Sequence, residues 1–226
     1  MLAYSSEIYE IETKDIAVLP DGNEKSRVKD EIVIKIGDNF DYKKRTESQD
    51  VLLKGRKAVQ NALKNKQKYV KVRVAFRPKN NRFDFISPII RVLRYRLKAY
   101  SSNVYHISPE FIRKKKLERN IRTAQNAYEF SNPLYKLEES ERKKTYKRLY
   151  DSMKKRGFDD RFPIDIMLCR NMGVKDTLNQ GHHRMSVAME LGLEKVGVMF
   201  SSAGAAPKWL HYIFLKIAKI NMFFKR

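Results

Sequence analysis

Residues 179–192 read NQGHHRMSVAMELG and place a glycine, two histidines and an arginine directly before a helical pattern. The helix is expected to end at the final glycine, because glycine is common just past the last helical turn. Around it, 163–169 (PIDIMLC) predicts a strand, 176–180 (DTLNQ) its hairpin partner and 196–200 (VGVMF) a last strand. A glycine permits close backbone approach, and the N–H groups of a new helix attract anions. Residues 181–184, the GHHR box, are therefore expected to form an anion site.

A longer helix is predicted on the N-terminal side of this unit. Tyr146, Leu149, Tyr150 and Met153 fall on one stripe, and Gly157 is expected to stop the helix. The order of elements is therefore helix, strand, turn, strand, GHHR box, helix and strand. No internal repeat and no low-complexity linker is predicted.

The first part of the chain predicts a small β/α unit with a basic rim. Residues 31–37 (EIVIKIG) and 68–76 (KYVKVRVAF) are strand candidates, the second with valines alternating against polar residues. Between them, residues 51–66 are expected to form a short helix in spite of Gly55. This unit would precede the one that carries the GHHR box.

The runs LYDSMKKRGFDDRFPIDIM (149–167), NQGHHRMSVAMELG and VGVMF resemble the ParB/sulfiredoxin-like superfamily. In that pattern a helix ends in glycine, a Pro-Ile strand follows, and a G-x-[HR]-R box opens a phosphate-binding helix. The resemblance covers about residues 132–200, and more if VYHISPEFI is the first strand and turn of the module. It implies an α+β fold with a small mixed sheet and packed helices. The expected divisions are a basic N-terminal α/β region (1–100), the ParB/sulfiredoxin-like module (101–206) and an amphipathic tail (207–226).

Three activities of the superfamily can be compared with this sequence. ParB proteins bind a nucleotide triphosphate at the box and continue into a helix-turn-helix domain, for which the residues after Gly192 are too few. Sulfiredoxins carry a nucleophilic cysteine where this chain has His182, and Cys169 lies away from the box. Free-serine kinases have D-G-H-H-R, the closest match, but Gln180 replaces their aspartate and their glutamate would fall near 134–135. The box is shared, while the residues that carry each known chemistry differ.

The resemblance implies that the box binds phosphate, with a nucleotide triphosphate (ATP or CTP) and Mg²⁺ as the expected cofactors. Gly181 and Arg184 would hold the phosphate, and His182 and His183 would orient it. No metal site is expected at the histidine pair, because adjacent residues at a helix start point to different sides.

Catalysis is a further hypothesis. His183 would shuttle a proton, and Glu138 or Glu139 would be the base of a phosphotransferase acting on a small or lipid-linked hydroxyl compound. A catalytically silent adaptor that binds the ligand without a reaction is the alternative.

The charge of the chain predicts an anionic partner. Lys and Arg number 48 against 26 Asp and Glu, which gives a formal net charge of +22 and a pI near 10.0. Two basic helices are expected, one carrying Arg91 to Lys98 and one carrying Arg113 to Lys116. They make a non-enzymatic nucleic-acid-binding protein the rival hypothesis.

The C-terminal residues 209–226 are apolar and aromatic with interspersed lysines. They suit an interfacial helix on an anionic membrane surface, or a terminal helix packed on the core.

The N-terminus has no apolar signal segment, and a single cysteine excludes an internal disulfide. The expected location is cytoplasmic, with a peripheral membrane position on the inner face of the cytoplasmic membrane.

Overall fold

The computed structural model describes residues 2–37, 48–77, 99–114, 139–168 and 176–202. These residues form nine strands and five helices. The strands are β1 Ala3–Glu12, β2 Ile32–Lys35, β3 Val51–Lys54, β4 Tyr69–Phe76, β5 Ala99–Tyr100, β6 Tyr105–Ile107, β7 Ile164–Leu168, β8 Thr177–Gln180 and β9 Val196–Ser202. The helices are α1 Thr13–Ala17, α2 Arg56–Lys64, α3 Pro109–Lys114, α4 Glu139–Arg156 and α5 His182–Glu190.

All nine strands belong to one open, mixed sheet. Its order is β3-β2-β4-β1-β6-β9-β7-β8, and β5 pairs with β9 outside this path. The pairs β2–β4 and β7–β9 are parallel, whereas the other pairs are antiparallel. The expected α+β class with a mixed sheet and packed helices is therefore confirmed.

The core lies mainly on the helix-covered face of the sheet. In β4 the valines Val70, Val72 and Val74 are buried, as their alternation with polar residues predicts. Tyr9 of β1 packs edge-on against Phe200 of β9, with ring centroids 4.9 Å apart. The main cluster of buried residues contains both Leu52 of β3 and Leu178 of β8, so it extends from one edge of the sheet to the other.

The expectation that the chain has no internal repeat is wrong, because a repeat lies at the centre of the sheet. Residues 3–11 read AYSSEIYEI and lie in β1, and residues 99–107 read AYSSNVYHI and contain β5 and β6. Ile11 pairs directly with Ile107, so equivalent residues of the two copies meet each other. An approximate two-fold axis therefore passes between β1 and β6.

The rest of the sheet follows the same axis. Two stretches of the chain each contain a hairpin, a glycine turn, a nine-residue helix and a last strand that runs parallel to the first strand of the hairpin. These elements are β2-β3-α2-β4 in the first stretch and β7-β8-α5-β9 in the second. Each hairpin has its register shift at the same step, Val33 to Ile34 in one and Asp165 to Ile166 in the other. We call residues 3–76 the first half and residues 99–202 the second half.

Hydrogen bonds cross between the halves in matching pairs. The amide of Asp50, just before β3, donates to Ser102 Oγ at 2.8 Å, and the amide of Asp176, just before β8, donates to Ser6 Oγ at 2.8 Å. Each half therefore holds the hairpin of the other. The expected boundary between residues 100 and 101 lies at the start of the second half, directly after β5. The two halves share one sheet, and the division into domains stays a prediction.

One local prediction is wrong. Residues 51–54, expected to begin a helix, form β3 and pair with β2, and the helix starts only at Arg56. Gly55 has φ of 101°, which ends the strand and opens the helix. Several predicted features lie outside the described residues: the helix with Arg91 to Lys98, the side chains of Arg113 to Lys116, Cys169, and the tail 209–226.

No helix in the described part of the chain is both long and apolar enough to cross a membrane.

The two repeated helices end in the same left-handed turn, which gives a testable prediction. The position after the helix is Gly192 in the second half, with φ of 62°, and Lys66 in the first half, with φ of 52°. A side chain is strained in this conformation and glycine is not. Lys66→Gly should therefore raise the free energy of unfolding by about 0.5 to 1 kcal/mol, and Gly192→Ala should lower it by about 1 kcal/mol. Urea unfolding measures both, and a destabilised Lys66→Gly protein would contradict the assigned turn.

Candidate functional site

The GHHR box forms the turn between β8 and α5. Gly181 has φ of 93°, and a Cβ atom there would lie 3.0 Å from Ile164 Cγ1 and 3.2 Å from Ile164 Cα. Only glycine fits this turn without strain. Glycine has no side chain, so no capping side chain occupies the start of α5.

A groove of about 680 Å³ lies beside the box. Its walls are the C-terminal part of α4, the loop that follows it and one side chain of α5. The lining residues are Leu149, Ser152, Met153, Arg156, Gly157, Phe158, Asp159, Asp160, Arg161, Phe162 and Arg184. We call this the box groove, and it combines apolar side chains with three arginines.

Arg184 is the residue through which the box reaches the groove. Its side chain is half-buried, and Nη1 donates to the carbonyl oxygen of Pro163 at 3.0 Å. No other hydrogen bond of Arg184 occurs within the described residues. Burial lowers the pKa of this guanidinium, while the nearby charge of Asp159 opposes the shift. A bound anion would offset the cost of keeping this charge away from water.

The carboxylates of the groove already have cationic partners. Asp159 accepts hydrogen bonds from Arg161, which hold the pKa of Asp159 at about 2. Asp160 pairs with His106 at 3.0 Å. Arg156 and Arg184 have no ion pair among the described residues, so the groove keeps an excess of positive charge.

The two histidines of the box do not line the groove. The ring of His183 packs edge-on against Tyr146 of α4, with centroids 6.3 Å apart. The carbonyl oxygen of His182 accepts a hydrogen bond from Ser186 Oγ at 3.1 Å. Adjacent helical residues point about 100° apart, so the box cannot direct all its side chains to one ligand. A role of these histidines in binding phosphate stays a prediction.

The proposed base residues cannot be placed in the groove. Glu138 lies outside the described residues, and Glu139 is the first residue of α4, with its side chain outside them as well. Leu149 is the first residue of α4 to line the groove, and it is about 15 Å from Glu139 along the helix axis.

Sequence reasoning missed a cluster around His106, because its members come from three separate segments. His106 Nδ1 lies 3.1 Å from Asp15 Oδ2, and Nε2 lies 3.0 Å from Asp160 Oδ2. The His106 amide also donates to Asp15 Oδ2 at 2.6 Å. Glu12 is close by, and its carboxylate accepts a hydrogen bond from Lys195 at 2.8 Å. The hydrogen bond to Asp15 is the main cause that raises the pKa of His106 to about 9, with Asp160 adding to it and desolvation opposing it.

Ligand atoms of Glu12, Asp15 and His106 all lie within 4.8 Å of one another, a spacing that a metal ion could use. Both ring nitrogens of His106 already face carboxylates, and Glu12 is bound to Lys195. The donor set is therefore arranged as an ion-pair network.

The stability of the fold should depend on pH through His106. Its pKa is raised from 6.5 to about 9 in the folded protein, so the stabilisation is fully present below pH 6.5 and is lost as pH rises through 9. Because His106 is 22% exposed and Asp160 49% exposed, solvent screens the pair, and we expect a loss of about 1 to 2 kcal/mol. Urea unfolding at pH 6 and pH 10 measures it. In His106→Gln the part of the pH-dependent loss that is due to His106 should be absent. An equal pH dependence of stability in wild type and in His106→Gln would contradict the role of His106.

The first half has a groove of about 770 Å³ beside its own glycine turn, but the chemistry differs. Ala58, the third residue of α2, stands where α5 has Arg184. Asp30 lies two residues before β2, where the second half has Phe162, and it pairs with Arg73. Glu10, Glu31 and one cation, Lys71, also line the groove. The first-half groove is therefore unsuited to an anion.

Arg56, the first residue of α2, directs its guanidinium to residues of the first half and not to the groove. It donates to Asp21 Oδ1 at 2.9 Å and to the carbonyl oxygens of Ala17 and Leu19. Its guanidinium thus fixes residues 17–21 instead of facing a groove.

No family model, curated protein or solved structure matches this chain.

Proposed function

We propose that the second half binds a phosphorylated ligand of the nucleotide class in the box groove, with the phosphate at the N-terminus of α5. The observation that carries the proposal is the position of Arg184, half-buried at the groove and directly after the glycine turn. Helix N–H groups and an arginine fork together are a common arrangement for phosphate.

The comparison between the halves supports this proposal. Both halves keep the glycine turn and the nine-residue helix, but only the second half has an arginine at the third helical position. The hydrogen bond of Arg184 to Pro163 and the charge of Asp159 stabilise the side chain in part, but they leave most of the guanidinium donors free for an anion. The cost of burying the charge of Arg184 is understandable if an anion binds there.

The apolar part of the groove supports a ligand with a base or another flat group. Phe162 is 62% exposed at the rim, and the guanidinium of Arg161 lies 6.0 Å from its ring centroid. An exposed aromatic ring next to an arginine can stack with a base. ATP, ADP and CTP are therefore the probes of choice, with Mg²⁺ added in parallel.

The order of hairpin, glycine turn, helix and parallel strand supports assignment of the second half to the ParB/sulfiredoxin-like superfamily. Phosphoryl transfer, which the resemblance also implies, would need a base near the phosphate. Since Asp159 and Asp160 are paired with Arg161 and His106, the proposal is limited to ligand binding.

Calorimetric titration with ATP, ADP and CTP tests the proposal. Arg184→Ala should weaken binding about 10- to 100-fold, the size expected for lost hydrogen bonds to a charged group. The matched control is Lys57→Ala, which removes an exposed cation from the second position of α2 and should leave affinity within about two-fold. Absence of binding by wild type, or equal affinities for wild type and Arg184→Ala, would refute the proposal.

Nucleic acid is the second candidate ligand, supported by the exposed surface of α4. Lys143, Lys144, Lys147, Arg148 and Lys154 are exposed along this helix. Binding by such a surface should weaken steeply with salt. A Lys144→Glu, Lys147→Glu double variant should lose oligonucleotide binding, whereas Arg184→Ala should keep it.

A further inference from the structure

The halves differ in a second feature besides Arg184, and both differences belong to the second half. His106 in β6 stands where β1 has Glu10 in the repeated stretch. Asp160 lies four residues before β7, where the first half has Val28 four residues before β2. Glutamate and valine cannot form the hydrogen bond that joins His106 to Asp160. The second half therefore has a connection that the first half lacks.

A glycine makes room for this connection. Gly197 precedes Val198, the partner of Ile164, and the equivalent residue of the first half is Lys71. A Cβ atom at Gly197 would lie 2.3 Å from Asp160 Oδ1. Any side chain at this position would displace the carboxylate of Asp160. Three substitutions between the halves, at 106, 160 and 197, thus serve one contact.

The contact holds the loop that forms one wall of the box groove. Asp160 lies in the segment 157–162, which carries Asp159, Arg161 and Phe162 and lines the groove over its whole length. On its other side His106 is fixed by Asp15 of α1, in the first half. The chain Asp15–His106–Asp160 therefore ties the groove wall to the centre of the sheet.

We propose that His106 is a positioning residue for the box groove, holding the loop 157–162 in place for the ligand through Asp160. This inference rests on the proposed binding of a phosphorylated ligand. It would explain why the half with the arginine also has the histidine, the aspartate and the glycine.

The connection needs a protonated ring. Imidazolium has two N–H donors, so it serves Asp15 through Nδ1 and Asp160 through Nε2, while a neutral ring has only one donor. Two further charged groups lie near the ring: Glu12, at 3.8 Å, which favours protonation, and Lys195, which is bound to Glu12. Raising the pH therefore breaks one of the two hydrogen bonds.

The test compares ADP affinity in wild type and His106→Gln between pH 7.5 and pH 10. At pH 7.5 the variant should bind about five- to ten-fold more weakly, and the ratio of the two affinities should approach one at pH 10 as wild type loses its proton. Gly197→Ala, whose added Cβ would meet Asp160 Oδ1 and Val104 Cγ1, should weaken ADP binding to a similar extent. Glu10→Gln is the matched control and should bind as wild type does. A ratio near one at pH 7.5, or a ratio constant with pH, would overturn the proposal.

Hydrogen exchange separates this inference from the proposed function. The hydrogen-bonded amides of Arg161 and Phe162 should lose about ten-fold in protection in His106→Gln and in Gly197→Ala at pH 7.5, with or without ADP. If wild type binds no nucleotide and the protection still falls, the proposed function fails and the loop anchor stands. Unchanged protection in both variants would show that His106 does not hold the loop.

Discussion

Replacing Asp50 by alanine is expected to lower the free energy of unfolding by about 3 to 5 kcal/mol. The carboxylate is buried and accepts four hydrogen bonds. They come from the amides of Gly37 (2.7 Å), Ser102 (2.8 Å) and Asn103 (3.0 Å) and from the hydroxyl of Tyr105 (2.7 Å). Alanine would leave all four donors without this acceptor in the core. Urea unfolding monitored by circular dichroism measures the loss.

Two control variants test whether the lost hydrogen bonds cause the destabilisation of Asp50→Ala. Burial raises the pKa of Asp50, and the hydrogen bond from Tyr105, followed by those from the three amides, opposes that shift. Tyr105→Phe removes one donor and should cost about 1 kcal/mol. Asp176, the equivalent residue of the second half, accepts from the hydroxyl of Tyr9 at 2.8 Å, so Asp176→Ala should also be strongly destabilising. A loss below 1 kcal/mol in Asp50→Ala would contradict the assigned network.

Gly55→Ala is expected to destabilise the protein by about 3 kcal/mol or more. Gly55 has φ of 101°, and a Cβ atom there would lie 2.5 Å from the carbonyl oxygen of Glu31 and 2.9 Å from Ile32 Cα. The strain of the left-handed conformation adds to a clash with backbone that cannot move without breaking β2. Thermal or urea unfolding gives the magnitude.

Gly157 provides the matched control for this clash. It has φ of 75°, and a Cβ atom there would have no neighbour within 4 Å. Gly157→Ala therefore adds only the strain of the left-handed conformation and should lower the free energy of unfolding by about 1 kcal/mol. The loss of stability in Gly181→Ala should lie between those of Gly55→Ala and Gly157→Ala. The nearest atom to a Cβ at Gly181 would be the side-chain atom Ile164 Cγ1, at 3.0 Å. Equal losses at Gly55 and Gly157 would show that the close approach to Glu31 is not as described.

Within the described residues of 139–202, most helices and strands were predictable from the sequence. The alternation in β7, the glycine stop at Gly157 and the glycine that opens α5 are local signals, and each element formed where these signals indicate. The first half was harder, because the leucines at 52–53 precede a helical pattern and suit a helix or a strand equally. Pairing with β2, a tertiary contact, makes them a strand.

The repeat escaped prediction because its clear identity is confined to one short stretch around AYSS. Outside it, the halves share positions of glycines and buried side chains but few residue types, such as Lys66 for Gly192. The two-fold symmetry of the halves follows from the strand pairing and the strand order of the sheet. The pairing of Ile11 with Ile107 could not be inferred from either copy alone.

For the site, the sequence indicated Gly181 and Arg184 because a glycine turn before a helix is a local motif. The groove wall and the anchor by His106 could not be found in this way. Asp15, His106 and Asp160 lie far apart along the chain, and their contact depends on the approach of α1, β6 and the loop after α4. Ion pairs between distant segments carry no local sequence signal.

The central claim is that each chain has one anion site, in the second half, and that Arg184 is essential to it. Equilibrium dialysis with radiolabelled ADP measures this directly as moles bound per mole of chain. At a free ADP concentration about ten times the wild-type Kd, wild type and Lys57→Ala should bind about 0.9 ADP per chain, and Arg184→Ala only about 0.1 to 0.5. Two ADP per chain, or one ADP bound equally well by Arg184→Ala, would contradict the claim.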